Sequence, residues 1–309
     1  MNTRCVLGTR GSPLALWQAR QVQQALQEAH PQLDVPIKII HTKGDKILDR
    51  PLAAIGDKGL FTKELENALY NNTIDIAVHS LKDLPSTLPE GLGILAVMER
   101  HLPFDALVTA EEKTLAELPA GALIGTGSLR RKTQLQQLRP DLNFADLRGN
   151  IQTRLAKLDR GDYAAIVMAQ AALERMDLGH RMAHVFDAHD MLPAVGQGAV
   201  AVEGRLNDPH IATLLQPVAH LHTTYCITAE RAFLRTLGGG CEKPIAGFAT
   251  RTESTLSLTG RIASVDGSQI IQDTLTADFT VPTLEICEKL GTELGEKMLA
   301  AGGKALLEA

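Results

Sequence analysis

Apolar and polar positions alternate along the first two thirds of this chain in two distinct periods. Residues 35–41 (VPIKIIH), 74–78 (IDIAV) and 94–97 are short apolar runs that predict buried strands. Between them Ala15, Ala19, Val22, Leu26 and Ala29 step by four and three, which predicts an amphipathic helix over 12–29. Ser12 stands at its N-cap and Pro13 at N1, where a missing N–H costs nothing. The alternation recurs over 122–177: a strand ending at Gly125, a helix from Ser128, a strand near Phe144, a helix from Asn150, the strand YAAIVM and a further helix. Strands alternating with helices predict α/β architecture on parallel sheets. Residues 199–203 (AVAVE) predict one more strand, returning to the first lobe.

The tail changes period. A helix is expected from Leu221 to Leu237, then a glycine-rich turn, three strand-like runs over 245–279 and a last helix from about Pro282. This predicts a small α+β domain with an antiparallel sheet. Breaks near 99–104 and 216–221 mark candidate boundaries. Gly8-Thr9-Arg10-Gly11-Ser12 and Gly125-Thr126-Gly127-Ser128 echo each other, each joining a strand to a helix, and point to two similar lobes.

Charge alters this picture at the helix starts. Arg130, Arg131 and Lys132 fill the turn after Ser128, Arg148 and Arg154 flank Asn150, and Arg10 precedes Ser12. A helix N-terminus carries about half a positive charge and favours acids nearby by roughly 0.3–1 kcal/mol each. Several cations there imply a compensating anion, and helix starts and guanidiniums both suit carboxylates and phosphates. Residues 125–175 hold nine basic and five acidic side chains, a local +4 within a chain of net −5, which leaves −9 elsewhere. A small, strongly anionic ligand in a cleft fits that distribution. Solvated surface arginines are the bland alternative.

The 309 residues suit two or three domains, and 44% hydrophobic residues suffice for real cores. No apolar run approaches the roughly 18 residues of a spanning helix, and the N-terminus lacks the apolar core of a signal peptide, so a cytoplasmic protein away from membranes is expected. Aromatics at 4% and an acidic balance disfavour nucleic acid as partner, although the 125–175 cluster leaves an RNA-binding alternative.

Cys5, Cys226, Cys241 and Cys287 form no CxxC pair. Cys241 alone lacks apolar neighbours: Gly238, Gly239, Gly240 and Pro244 place it on a loop, where cations would favour the thiolate and covalent chemistry. Lys82 and Asp83 follow a strand, where open α/β sheets bind ligands, and Asp83 is a candidate proton handler. His180 and His184 have helical metal spacing without an acidic partner motif, so no metal is expected.

Residues 9–18 (TRGSPLALWQ), 58–61 (KGLF), 77–85 (AVHSLKDLP), 128–131 (SLRR), 147–150 (LRGN), 192–199 (LPAVGQGA) and the Gly240-Cys241 loop, in this order, resemble the porphobilinogen deaminase (hydroxymethylbilane synthase) family. The resemblance runs over essentially the whole chain. It implies two lobes like those of periplasmic binding proteins, one over 1–98 and 199–217 and one over 104–193, with a C-terminal domain over 221–309. It implies a transferase of heme and tetrapyrrole biosynthesis. Such an enzyme joins four porphobilinogens, each losing ammonia, onto a covalent dipyrromethane cofactor and releases hydroxymethylbilane. By resemblance Cys241 carries the cofactor through a thioether. Lys82, Asp83, Thr126, Ser128, Arg130, Arg131, Arg148 and Arg154 hold it. Arg10, Ser12, Gln18, Ser80, Arg148, Arg154 and Arg175 meet substrate, Asp83 is catalytic, and Lys58 lies on a lid. A monomer is expected. Two carboxylates per pyrrole explain many guanidiniums better than one small anion does. Gly127 stands where a serine is common, Val6 where some members have arginine, and Ala54 where some have lysine, which puts those single contacts in doubt. A non-catalytic receptor for a polyanionic metabolite is the rival reading; it leaves the loop cysteine unexplained.

Overall fold

The computed structural model describes residues 4–46, 59–240 and 242–308. The first strands are β1 (Leu7–Thr9), β2 (Ile37–Ile39), β3 (Ile76–Ser80) and β4 (Leu92–Val97). Then come β5 (Asp105–Thr109), β6 (Leu123–Gly125), β7 (Asn143–Ala145), β8 (Ala165–Ala169) and β9 (Met182–Val185). Last are β10 (Val200–Arg205), β11 (Ile245–Arg251), β12 (Thr255–Ala263) and β13 (Ile270–Asp278). The helices used below are α1 (Pro13–Ala29), α2 (Lys63–Tyr70), α3 (Leu129–Leu138), α4 (Ile151–Asp159), α5 (Gln170–Glu174), α6 (Pro209–Leu215), α7 (Leu221–Thr236) and α8 (Leu284–Met298).

The described chain divides into two compact units, one of residues 4–46, 59–101 and 199–224, the other of residues 102–198 and 225–308. In the first unit a five-stranded sheet runs β2-β1-β3-β10-β4. Strands β1, β2 and β3 are mutually parallel, whereas β10 is antiparallel to both β3 and β4. The predicted return strand is therefore present, but it makes the sheet mixed, where the alternation of strands and helices predicted a parallel one. Helix α1 forms as its spacing requires. Ser12 Oγ accepts from Ala15 N at 3.3 Å, Pro13 opens the helix, and Ala19, Val22 and Leu26 bury one stripe against Leu7, Ile76, Val78, Val200 and Val202. The opposite sheet face packs Ala77 and Ile74 on Leu65 and Leu69 of α2.

The second unit holds another five-stranded sheet, ordered β7-β6-β8-β5-β9. Its pairing repeats the first: β6, β7 and β8 are parallel, and one antiparallel strand, β5, sits between β8 and β9. Thus β6 occupies the place of β1, and the two echoed Gly-Thr segments leave equivalent strands. Side chains split by parity across this sheet. Leu107, Ala165 and Val167 face one core with Ile124 and Leu135; Ala106, Val108, Ile166 and Met168 face another with Leu155 and Leu158. A separate antiparallel sheet, β11-β12-β13, packs with α7 and α8 around Phe233, Leu258, Ile262, Phe279 and Leu294. This is the predicted α+β element. Strands β5 and β9 were absent from the sequence reading, because β5 begins on a charged residue that only its partners allow inside.

Candidate active site

In both mixed sheets the candidate residues follow the carboxyl ends of the parallel strands, where open α/β sheets present ligand groups. In the first unit β1 leads into Arg10, Ser12 and Gln18. The Arg10 guanidinium lies 4.1 Å from the Phe61 ring centre, a cation–π contact that orients it. Gln18 is buried, and its amide donates to Ser80 Oγ at 2.8 Å while the Ser80 hydroxyl reaches Gln18 Oε1 at 3.2 Å. The two form one polar element linking α1 to the end of β3. Lys82 and Asp83 then lie on a one-turn helix, Leu81–Asp83. Leu81 and Leu84 are buried on either side of them, and Leu81 N is held by Ala199 O at 3.1 Å. Two apolar anchors thus leave the ammonium and the carboxylate half-buried at the strand end.

Sequence reasoning missed a polar cluster behind this strand. His79 Nε2 lies 2.9 Å from Glu203 Oε2 across the β3–β10 pair, with both side chains buried. Glu66 of α2 is nearby, and burial pushes its carboxyl up. His79 sits within an apolar run, so its pattern reads as core; only the antiparallel strand supplies its acid.

In the second unit three parallel strands deliver basic residues. After β6, Thr126 Oγ1 accepts from Ser128 N at 3.2 Å, and Ser128 Oγ caps α3 by accepting from Arg131 N at 3.4 Å. A side chain on Gly127 would meet the Asp146 carboxylate at 2.8 Å, so the missing serine and this aspartate account for each other. After β7, Asn150 Oδ1 caps α4 by accepting from Thr153 N at 2.9 Å. Arg154 Nε donates to Gly149 O at 2.8 Å, and Arg148 and Arg154 are both half-buried around that glycine, whose φ is +114°. After β8 and α5, Arg175 donates to Gly198 O at 2.7 Å, and burial pulls its guanidinium down to about 10. Neither α3 nor α4 has an acid in its first turn. Their positive ends, with Arg148 and Arg154, therefore make a donor set suited to a carboxylate-bearing group.

Arg130 and Arg131 are answered in part within the chain itself. One compensating anion stands at the first residue of β5. Asp105 is wholly buried; Arg130 NH1 reaches Oδ2 at 2.7 Å and Arg131 Nε and NH2 reach Oδ1 at 2.9 and 2.8 Å. Burial alone would raise the Asp105 carboxyl, but the Arg130 and Arg131 charges and the Arg130 and Gln197 hydrogen bonds outweigh it and hold it well below the ordinary carboxylate range. Both guanidiniums are buried, so they are neither solvated surface charges nor open cations. Arg139 and Arg160 likewise pair locally, with Asp141 and Asp162. Those two pairs are already inside the local +4 counted along the sequence; Asp105, which lies outside residues 125–175, lowers it by one.

Among the described cysteines, Cys5, Cys226 and Cys287 are buried, and burial pushes the Cys5 and Cys287 thiols up to about 12. Cys241, the expected attachment point, lies outside the described residues, as do Lys58 and Ala54. Val6 N donates to Asp75 Oδ2 at 2.7 Å. His180 sits in a one-turn helix and His184 in β9, so the i,i+4 pair shares no helical face.

Solved structures to which this chain is similar include the methionine-binding protein MetQ, at 14% identity and TM-score 0.47 over 71% of this chain and 91% of that one. Another is the periplasmic aliphatic sulphonate binding protein SsuA from Escherichia coli, at 15% identity and TM-score 0.42 over 76% and 71%. The protein named porphobilinogen deaminase from Syntrophotalea carbinolica is 48% identical over 303 residues, spanning 98% of this chain and 95% of its own. Residues 5–213 match the family described as porphobilinogen deaminase, dipyromethane cofactor binding domain, and residues 224–300 match porphobilinogen deaminase, C-terminal domain. With both matches in chain order and a relative aligned nearly end to end, the chain belongs to the porphobilinogen deaminase family.

Proposed function

We propose that this chain is hydroxymethylbilane synthase: a deaminating transferase that joins four porphobilinogens head to tail, with loss of ammonia, and releases hydroxymethylbilane. The observation that carries the site assignment is positional. Arg10, Ser12 and Gln18 follow β1, Ser80, Lys82 and Asp83 follow or end β3, and Ser128, Arg148, Arg154 and Arg175 follow β6, β7 and β8. In each unit cations and hydroxyls thus follow strand ends, and in the first a half-buried aspartate stands beside them.

Porphobilinogen carries an acetate, a propionate and an aminomethyl group. Arg10, Ser12, Gln18, Ser80, Arg148, Arg154 and Arg175 bind the two carboxylates of the incoming molecule and orient its ring. The Asp83 carboxylate accepts the pyrrole N–H and stabilises the positive charge that develops as the aminomethyl C–N bond breaks and ammonia departs. Lys82, Thr126, Ser128, Arg148 and Arg154 hold the carboxylates of the dipyrromethane cofactor, and Arg130 and Arg131 add the charge that Asp105 leaves over. Attached at Cys241, that cofactor supplies the pyrrole carbon onto which substrate is joined. Lys58 is assigned to a lid over the site.

We read residues 221–309 as a domain of its own, which the separate core around Phe233 supports. We also read the enzyme as a cytoplasmic monomer acting on a small molecule without nucleic acid. Local pairing of Arg130, Arg131, Arg139 and Arg160 with acids supports the last point. Among the described residues no helix is long and apolar enough to cross a membrane.

Intact-mass measurement tests this function. The purified chain is expected to exceed its sequence mass by one dipyrromethane, and Cys241→Ser is expected to lose that increment. An active wild type of unmodified mass would overturn the reading, and an unchanged increment in Cys241→Ser would move the attachment elsewhere.

A further inference from the structure

The acid that holds Arg130 and Arg131 is itself held, and by the segments through which the chain enters and leaves the second unit. Gln197 is buried; its amide nitrogen donates to Asp105 Oδ1 at 3.0 Å and to Pro103 O at 2.6 Å. Residues 103–105 and 197 flank two of the three points among the described residues where the chain crosses between units, those at 101/102 and 198/199. Leu192 joins the same network from the loop before Gln197. Its carbonyl accepts from Arg130 NH1 at 2.9 Å and from Gln134 Nε2 at 3.2 Å, and its N–H donates to Gln134 Oε1 at 2.9 Å. Arg131 NH1 closes the set on Val167 O of β8 at 2.9 Å.

Two guanidiniums share one carboxylate here, so one positive charge is left over in a dry place. A purely structural network would be served at lower cost by apolar side chains of similar volume. The surplus sits at N2 and N3 of α3, the helix end that already favours an anion. A local conflict of this kind, kept by buried partners, marks a group preset for a ligand.

We infer that Asp105 is a positioning residue for the arginine pair, and that Gln197 ties it to both crossing segments. The inference rests on the deaminase reading of this site. Asp105 fixes where the leftover charge stands before any carboxylate arrives, so binding needs no rearrangement of two long side chains. Because Gln197 touches both Asp105 and the 103 carbonyl, a shift of the arginine pair is felt at residues 103–105 and at 197.

Gln197→Met keeps every charge and removes the link. Cofactor-free protein supplied with porphobilinogen is expected to acquire its mass increment at least fivefold more slowly in Gln197→Met than in wild type. In the loaded enzyme kcat is expected to fall at least fivefold with KM within twofold, since preorganisation and not substrate contact is lost. Asp105→Asn should lose more, and the double variant no more than Asp105→Asn alone. If Asp105→Asn does not fold, Asp105→Glu, which keeps the charge but displaces it, is expected to show the same kcat-selective loss. Wild-type loading and kcat in Gln197→Met, or additive losses in the double variant, would overturn the inference. Amide exchange of residues 103–105 and 192–198 requires no adduct. A rise of at least tenfold in both segments of Gln197→Met supports the link even if the wild type carries no cofactor, an outcome that would sink the deaminase reading alone. Unchanged exchange overturns the link.

Discussion

Asp83 shows how much a single side chain depends on its neighbours. Leu81 and Leu84 are buried on either side of it, which holds the carboxylate at the end of β3 and half out of solvent. Asp83→Ala removes the carboxylate without disturbing those anchors. The mass increment is expected to persist while turnover falls by roughly 10²–10⁴, the usual range for a lost proton-handling group. Turnover within tenfold of wild type would remove Asp83 from the mechanism. Arg130 and Arg131 teach the opposite lesson: the same residue type at a helix start, read as open charge, proves buried and paired with Asp105. Nothing along the sequence signals that partner, which lies 25 and 26 positions away on a strand the apolar pattern does not announce.

At the scale of elements, caps and spacing were legible. Ser12, Ser128 and Asn150 each accept from a first-turn N–H as their residue type requires. The strands over 245–279 form the expected three-stranded antiparallel sheet. What the local pattern does not carry is helix-to-helix distance. Gly291 of α8 lies so close to α7 that an added Cβ would stand 2.7 Å from Ala232 Cβ and 2.8 Å from Phe233 N. By helix propensity alone Gly291→Ala should stabilise by about 1 kcal/mol. The clash involves α7 backbone, which cannot swing aside, and overpacking of this kind costs roughly 1–3 kcal/mol. The variant is therefore expected to melt below wild type; a higher melting temperature would show that α8 can shift away at little cost.

Across the whole molecule, net charge is a poor guide to what a ligand meets. The chain is −5 overall, yet Arg10, Arg148, Arg154 and Arg175, proposed to meet an anionic substrate, all follow strand ends. Attraction between such groups weakens as the Debye length falls from about 10 Å at 0.1 M salt to about 3 Å at 1 M. KM for porphobilinogen is accordingly expected to rise severalfold between these salt concentrations, with kcat within twofold. A salt-independent KM would mean that carboxylate binding is not carried by these cations. The molecule is also discontinuous: β10, distant in sequence, completes the first sheet, and β5 completes the second.

The sequence by itself determined the α/β class, the helix caps, the two echoed strand-to-helix turns and the family, because these rest on local periodicity and on short motifs in order. Tertiary structure alone decided which charges are answered within the chain. Asp105 meets Arg130 and Arg131, Glu203 meets His79, and Gln18 meets Ser80, each through pairings of strands or helices far apart in sequence. An isolated charge is costly to bury and a paired one is tolerated, so the partner decides whether a charged residue belongs to the core or to the ligand, and partners are chosen in three dimensions.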